Sequence, residues 1–259
     1  MIELVYDKTR ILMPEKADEL SPRQYIRVAG AVNMKSNTLK VWLMALRALM
    51  DKTALQFYLL NNDIKHRCLD YVKWVFEDLA ITRQLIPEYR GFYGPRSELV
   101  NLTLAEFYFS ELFYSRFVKN DDPEALDSLI SVLYRPGKIK YDKHKDLDGD
   151  IRQVFNSNAS EYYATRVKKW PMAVKYAILM WYDSCRAKIA GDNPAIFNGT
   201  GEGADDEADM FGILRGLAGG KYGDFEKVER LLLGTALLEM NFLIAENARL
   251  QAEIDKQKN

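Results

Sequence analysis

The stretch DFEKVERLLLGTALLEMNFLIAENARLQAEIDKQKN, Asp224–Asn259, decides the fold class. It contains no proline and its apolar residues return every three or four positions, so it predicts one long helix with Asp224 as N-cap. One track runs Val228, Leu231, Thr235, Leu238, Phe242, Ala245, and a second runs Leu243, Asn247, Leu250, Ile254. Two readings of these tracks stand. Asn247 at a seam position fits register control in a short coiled coil. The same spacing fits an amphipathic helix packed on its own domain with a polar end, because fewer than three to four clean heptads are present.

Working back toward the N-terminus, helical spacing continues. PMAVKYAILMWYDSCRAKIA (171–190) is a strong helix with Pro171 at its start and Gly191 beyond it. LAEFYFSELFYSRFVKN (104–120) is aromatic almost all round, which predicts a central buried helix, and Thr103 with Glu106 fits a capping box. Asp121 or Asp122 before Pro123 starts PEALDSLISVLY, which stops at Arg135–Pro136–Gly137. TLKVWLMALRALM presents Leu39, Trp42, Leu43, Leu46, Leu49 and Met50 on one face. DIKHRCLDYVKWVFEDLAITRQLI (63–86) reads as a single helix capped by Asp63 and ended by Pro87. Ser21 before Pro22 starts another. Only IELVYDKTRILMP, two β-favouring runs around a polar turn, reads as a small hairpin. The expected fold is therefore mostly α: a multi-helix bundle-like domain with a small N-terminal hairpin and a long C-terminal helix. Its expected organisation is a helical core (1–190), an acidic Gly-rich linker loop (191–209) and a C-terminal helical arm (210–259).

Composition narrows the function classes. Across 259 residues, 36 basic and 37 acidic side chains leave a net charge of −1, so no global field draws the chain to nucleic acid or an anionic membrane. Apolar stretches are too short to span a bilayer, and the start lacks a signal-peptide pattern. Cys68 and Cys185, neither in a CxxC pair, read as buried small hydrophobes in a reducing compartment. The expectation is a cytoplasmic protein.

The chemical motifs are weak. Asp146, Asp148 and Asp150 alternate as calcium ligands do, yet Ile151 and Ser157 stand where a calcium loop needs Gly and Glu. Gly199, Gly201 and Gly203 sit among Glu202, Asp205, Asp206, Glu207 and Asp209, which would repel phosphate. His66 and His144 have no partner at i+4. Lys138, Lys140, Lys143, His144 and Lys145, with Tyr134 and Tyr141, form a basic patch, but the nearby aspartates blunt its attraction for nucleic acid. No catalytic set, cofactor site or metal site is expected.

Several segments together resemble a group of uncharacterised prophage proteins of Bacteroidetes-type bacteria. They are ADELSPRQYIRVA, LIPEYRGFYGPRSELVNLTLAEF, LYRP…YD…GDIRQVF, MWYDSCRAKI…PAIF and ILRGLAGGKYGDFEKVE, in that order over most of residues 17–245. The resemblance implies a protein made beside the tail tape-measure chain: a tail assembly chaperone, or a structural virion component that self-assembles. It also implies that Leu133–Pro136 and Gly149–Arg152 frame one loop; physically, Arg135 is placed to pair with a carboxylate across the turn. The expected partner surface combines the loop residues Tyr89, Arg90, Phe92 and Tyr93, the turn residues Tyr134 and Arg135, and Leu238, Phe242, Asn247 and Leu250 of the last helix. Its partner is a tape-measure-like helical chain or a second copy.

Overall fold

The computed structural model describes residues 1–6, 9–34, 36, 38–77, 79–142, 149–197 and 225–258. Lys143, His144, Lys145, Asp146 and Asp148, the glycine-rich loop from 198 onward and the Asp224 cap lie outside the described residues. The fold is mostly α with a small N-terminal hairpin and a long C-terminal helix. Contacts divide the chain into two compact units: unit 1 comprises Met1–Pro87 and Arg166–Cys185, and unit 2 comprises Glu88–Thr165 and Arg186–Asn259.

In unit 1, β1 (Ile2–Tyr6) pairs antiparallel with β2 (Thr9–Met13), Ile2 facing Met13 and Tyr6 facing Thr9. Leu4, Ile11 and Met13 are buried while Val5 and Leu12 face out, the alternation of a half-covered ribbon. Helix α1 (Pro22–Val32) starts at a full capping box between Ser21 and Gln24. The Gln24 amide also donates to the Leu49 carbonyl at 2.6 Å, tying α1 to the end of α2 (Leu39–Leu49). A long helix, α9 (Met172–Asp192), packs against α1. There the Tyr25 hydroxyl donates to the Ala177 carbonyl at 2.9 Å, and Gly30 lies so close to Ala173 that a Cβ would stand 2.9 Å from it. Gly191 falls inside the last turn of α9 and does not end it.

The single helix expected over 63–86 is broken. Asn61, not Asp63, caps α4 (Asn62–Cys68); a 3-10 turn covers Leu69–Val72 and α5 spans only Trp74–Glu77. Beyond it the chain is irregular and its hydrogen bonds run to distant segments. Thr82 O accepts from Trp181 Nε1 at 3.0 Å and from Cys185 Sγ at 3.7 Å, and Arg83 donates to the Asp18 carbonyl at 2.7 Å. Backbone groups satisfied this way have no need of a helical partner. Short α3 (Ala54–Tyr58) buries no residue at all. The outer face of α2 is also wetter than its pattern predicts: Leu39 is exposed, while Val41, Ala45, Leu46, Ala48 and Leu49 face inward.

In unit 2, a small sheet runs β3 (Glu88–Tyr89), β4 (Phe92–Tyr93), β5 (Arg135–Pro136), all antiparallel. Arg90 and Gly91 turn the first hairpin with φ of 53° and 79°, the left-handed backbone that two-residue hairpin turns require. Helix α6 (Leu104–Asn120) meets α7 (Pro123–Leu133) through Asp121, left-handed at φ 54°, and Asp122, whose side chain caps α7. The burial order is the reverse of the aromatic pattern. α7 is inside on most faces, with Leu126, Leu129, Ile130, Val132 and Leu133 at or near zero exposure, whereas α6 is buried only at Leu104–Phe107 and Ser110. Its ring-rich C-terminal half is only partly covered. Helix α8 (Ser157–Val167) follows, and α10 (Pro194–Phe197) lies beyond α9.

The C-terminal helix is also interrupted. α11 (Phe225–Glu229) stops, and α12 (Leu233–Lys258) begins after a bridge in which Thr103 pairs with Leu232. Leu104 N donates to Leu231 O at 2.9 Å and Leu233 N donates to Leu102 O at 2.8 Å. Those bonds hold Leu232 in the bridge and break the helix at Leu231–Leu232.

Candidate functional site

The interior of unit 2 holds a charge cluster built at the start of α6. Glu106 is the third residue of a capping box: its Oε2 accepts from Thr103 N at 3.0 Å, while Thr103 Oγ1 accepts from Glu106 N at 3.3 Å. The same carboxylate pairs through Oε1 with Arg135 and through Oε2 with Arg152 Nη2 at 3.3 Å. Arg152 also grips Asp150, Nη2 to Oδ2 at 2.7 Å and Nε to Oδ1 at 3.0 Å. Two cations thus meet two anions in a space where Glu106, Arg135 and Arg152 are all but sealed from water.

Backbone carbonyls accept further guanidinium hydrogens. Arg135 donates to Gln153 O at 2.8 Å and Val132 O at 2.5 Å; Arg152 donates to Leu133 O at 3.0 Å and Asn101 O at 3.1 Å. Charges buried this deeply persist only when paired and hydrogen-bonded, and these are. Burial and the neighbouring Arg152 charge bring the Arg135 guanidinium down to about 10, so it stays protonated at neutral pH. Burial pushes the Asp150 carboxyl up, but the hydrogen bonds and charge of Arg152 outweigh it and hold the group below the usual carboxylate range. Paired and hydrogen-bonded within its own unit, the cluster is a fastening.

The expected ion pair of Arg135 therefore exists, but its carboxylate comes from α6, 29 residues earlier, and Asp150 serves Arg152. Arg135 and Tyr134 are buried, with Tyr134 packed against Gly94 so tightly that a Cβ there would stand 2.6 Å from the ring. Both side chains are enclosed by their own unit, so neither is offered to a second chain, and Tyr134 cannot stack a base. Phe92 is buried as well, edge-on to Tyr163 at 5.8 Å. Tyr89 and Tyr93 are half-buried, and Arg90 lies over the Tyr89 ring at 5.5 Å.

The C-terminal residues are placed differently. The first turns of α12 pack at home on α6 and α10 through buried Leu233, Ala236, Leu237 and Met240, and Asn241 donates to Asn193 Oδ1 at 2.8 Å. From Phe242 to Gln257 every residue is exposed. Leu238 at 74 % and Phe242 at 62 % are largely exposed; Leu243, Ile244, Asn247, Leu250 and Ile254 are exposed too. Arg249–Glu253 at 3.4 Å and Gln251–Asp255 at 3.2 Å, both four residues apart, brace the projecting turns.

The two features are joined. Thr103, the cap of α6 and partner of Glu106, is also the residue bridged to Leu232 at the root of α12. The charge cluster, the cap and the mount of the projecting helix form one continuous chain of bonds. Sequence reading found the cap and the helix but not the cluster. The nearest signal was an acidic residue in a helix start followed by arginines in the Leu–Tyr–Arg–Pro and Gly–Asp–x–Arg segments.

Unit 1 adds a shallow groove lined by Leu39, Lys40, Leu43, Met44, Arg47 and Phe57. Among the described residues no three His, Cys, Asp or Glu side chains gather in a metal-binding arrangement. Nor is any described helix long and apolar enough to cross a membrane. Family models, curated proteins and solved structures offer no match to this chain.

Proposed function

We propose that this chain is a non-catalytic assembly protein that works in the bacterial cytoplasm by offering α12 to another helical chain. One observation carries the reading: residues 242–257 are helical, exposed throughout, and rich in large apolar side chains. Apolar surface gains roughly 25 cal/mol for each Å² removed from water, so a partner that covers this helix is favoured. The anchored base matters as much, because a helix held in place loses less freedom on binding than a disordered segment would.

The resemblance to uncharacterised prophage proteins made beside the tape-measure chain supports a tape-measure-like partner and the role of a tail assembly chaperone. Co-expression tests this. The soluble yield of a tape-measure chain should rise with the full-length protein and the two should co-purify, with both effects lost in Phe242→Asp. Unchanged solubility together with no co-purification contradicts the reading. The seam through Leu243, Asn247, Leu250 and Ile254 favours a second reading, a virion component that self-assembles; its presence in purified particles would select that one.

A further inference from the structure

The heptad seam of α12 is occupied in its first turns and bare from Leu243 to Ile254. Leu233, Ala236 and Met240 stand at successive a, d and a positions and are buried at home. The same register continues as Leu243 (d), Asn247 (a), Leu250 (d) and Ile254 (a), all exposed. Leu238 and Phe242 lie at f and c, off this seam, so seam and outer face are separate surfaces.

We propose that a second copy of this chain covers the seam, its helix parallel and in register over Leu243–Ile254. The proposal rests on the reading of α12 as the interaction element. Two observations select both copy and direction. First, the g positions 246 and 253, like 239 before them, are all Glu. In an antiparallel pair g faces g′, so every register sets Glu against Glu. In a parallel pair g faces e′, and positions 244, 251 and 258 are Ile, Gln and Lys, none of them acidic. Second, Asn247 occupies an a position. In a parallel pair it meets Asn247 of the second copy and their amides can bond. In an antiparallel pair it meets a leucine and its amide is buried without a partner, which costs free energy. A different apolar helix would leave Asn247 in the same difficulty, whereas a second copy brings the matching amide automatically.

The test uses the full chain. Sedimentation over a roughly hundredfold concentration range should show the mass climbing from 29.9 kDa toward twice that value. Leu250→Glu with Ile254→Glu should hold it at 29.9 kDa throughout, with unchanged circular dichroism showing that the fold persists. Mild oxidation should link Asn247→Cys protomers into dimers but not Ala252→Cys protomers, whose thiol sits at an outward f position. Native Cys68 and Cys185 are buried and do not confuse the result. A monomer at every concentration overturns the proposal, as does equal cross-linking at 252. Preferential linkage of Asn247→Cys to Leu250→Cys in a mixture overturns the parallel direction. If the chain is monomeric yet still retains a tape-measure chain in a Phe242-dependent way, self-pairing alone fails. If that retention is absent too, the reading beneath it fails with it.

Discussion

Glu106 and Arg135 form an ion pair inside unit 2 with side chains only 2 % and 3 % exposed. Glu106 also caps α6, so one carboxylate fixes a helix start, a turn and, through Thr103, the root of α12. Glu106→Gln keeps an acceptor for Thr103 N but leaves two guanidiniums against one carboxylate. The expected loss is about 3–5 kcal/mol, read from the urea midpoint by circular dichroism. Stability within about 0.5 kcal/mol of the parent would show that the cluster is not the fastening described.

Asp150 gives the acid limb its shape. Its carboxyl titrates lower in the folded chain than in the unfolded one, so between those two values the unfolded chain holds more protons. The stabilisation is complete above the ordinary Asp pKa of about 3.9 and drains away as pH falls through the folded value. Asp150→Asn should therefore be less stable than the parent near neutrality, with the gap closing in acid. A gap that stays constant with pH would assign the loss to something other than charge.

Gly94 tests the packing of Tyr134. With the ring 2.6 Å from where a Cβ would stand, Gly94→Ala must push Tyr134 or the backbone aside. A cost of about 1–3 kcal/mol is expected in thermal unfolding. No change in midpoint would mean that the space is more forgiving than the geometry implies.

Much of the local order was written in the sequence because local chemistry made it. Ser21 with Gln24 and Thr103 with Glu106 satisfy their own helix starts, and the alternating hairpin strands need only each other. The failures all involve distant claims on the backbone. Thr82 is held by Trp181, 99 residues away, so the helical spacing over 63–86 was overruled by donors no local window contains. The spacing through Leu231 and Leu232 is helical, yet the bridge of Leu232 to Thr103 interrupts the helix there. The charge cluster was half legible: Arg135 was expected to pair, but Glu106 passed as a capping residue. Apolar spacing in α12 looked alike before and after Asn241, although the structure covers only the first part. Periodicity tells which face is greasy, not whether the chain's own body reaches it.

Asn247 sets specificity at a cost in affinity. Asn247→Leu should strengthen self-association by about tenfold or more while admitting higher-order or antiparallel species, seen as a broadened mass distribution in sedimentation. A variant that associates no better than the parent would take Asn247 out of the seam.

The most direct measurement is residue-resolved amide exchange over 242–257. In dilute protein these amides should exchange quickly, because nothing in their own unit covers the helix. They should slow by about an order of magnitude or more as concentration rises or a helical partner is added. Strong protection already present in dilute protein, and unchanged by concentration or partner, would contradict the claim that α12 is held out for another chain.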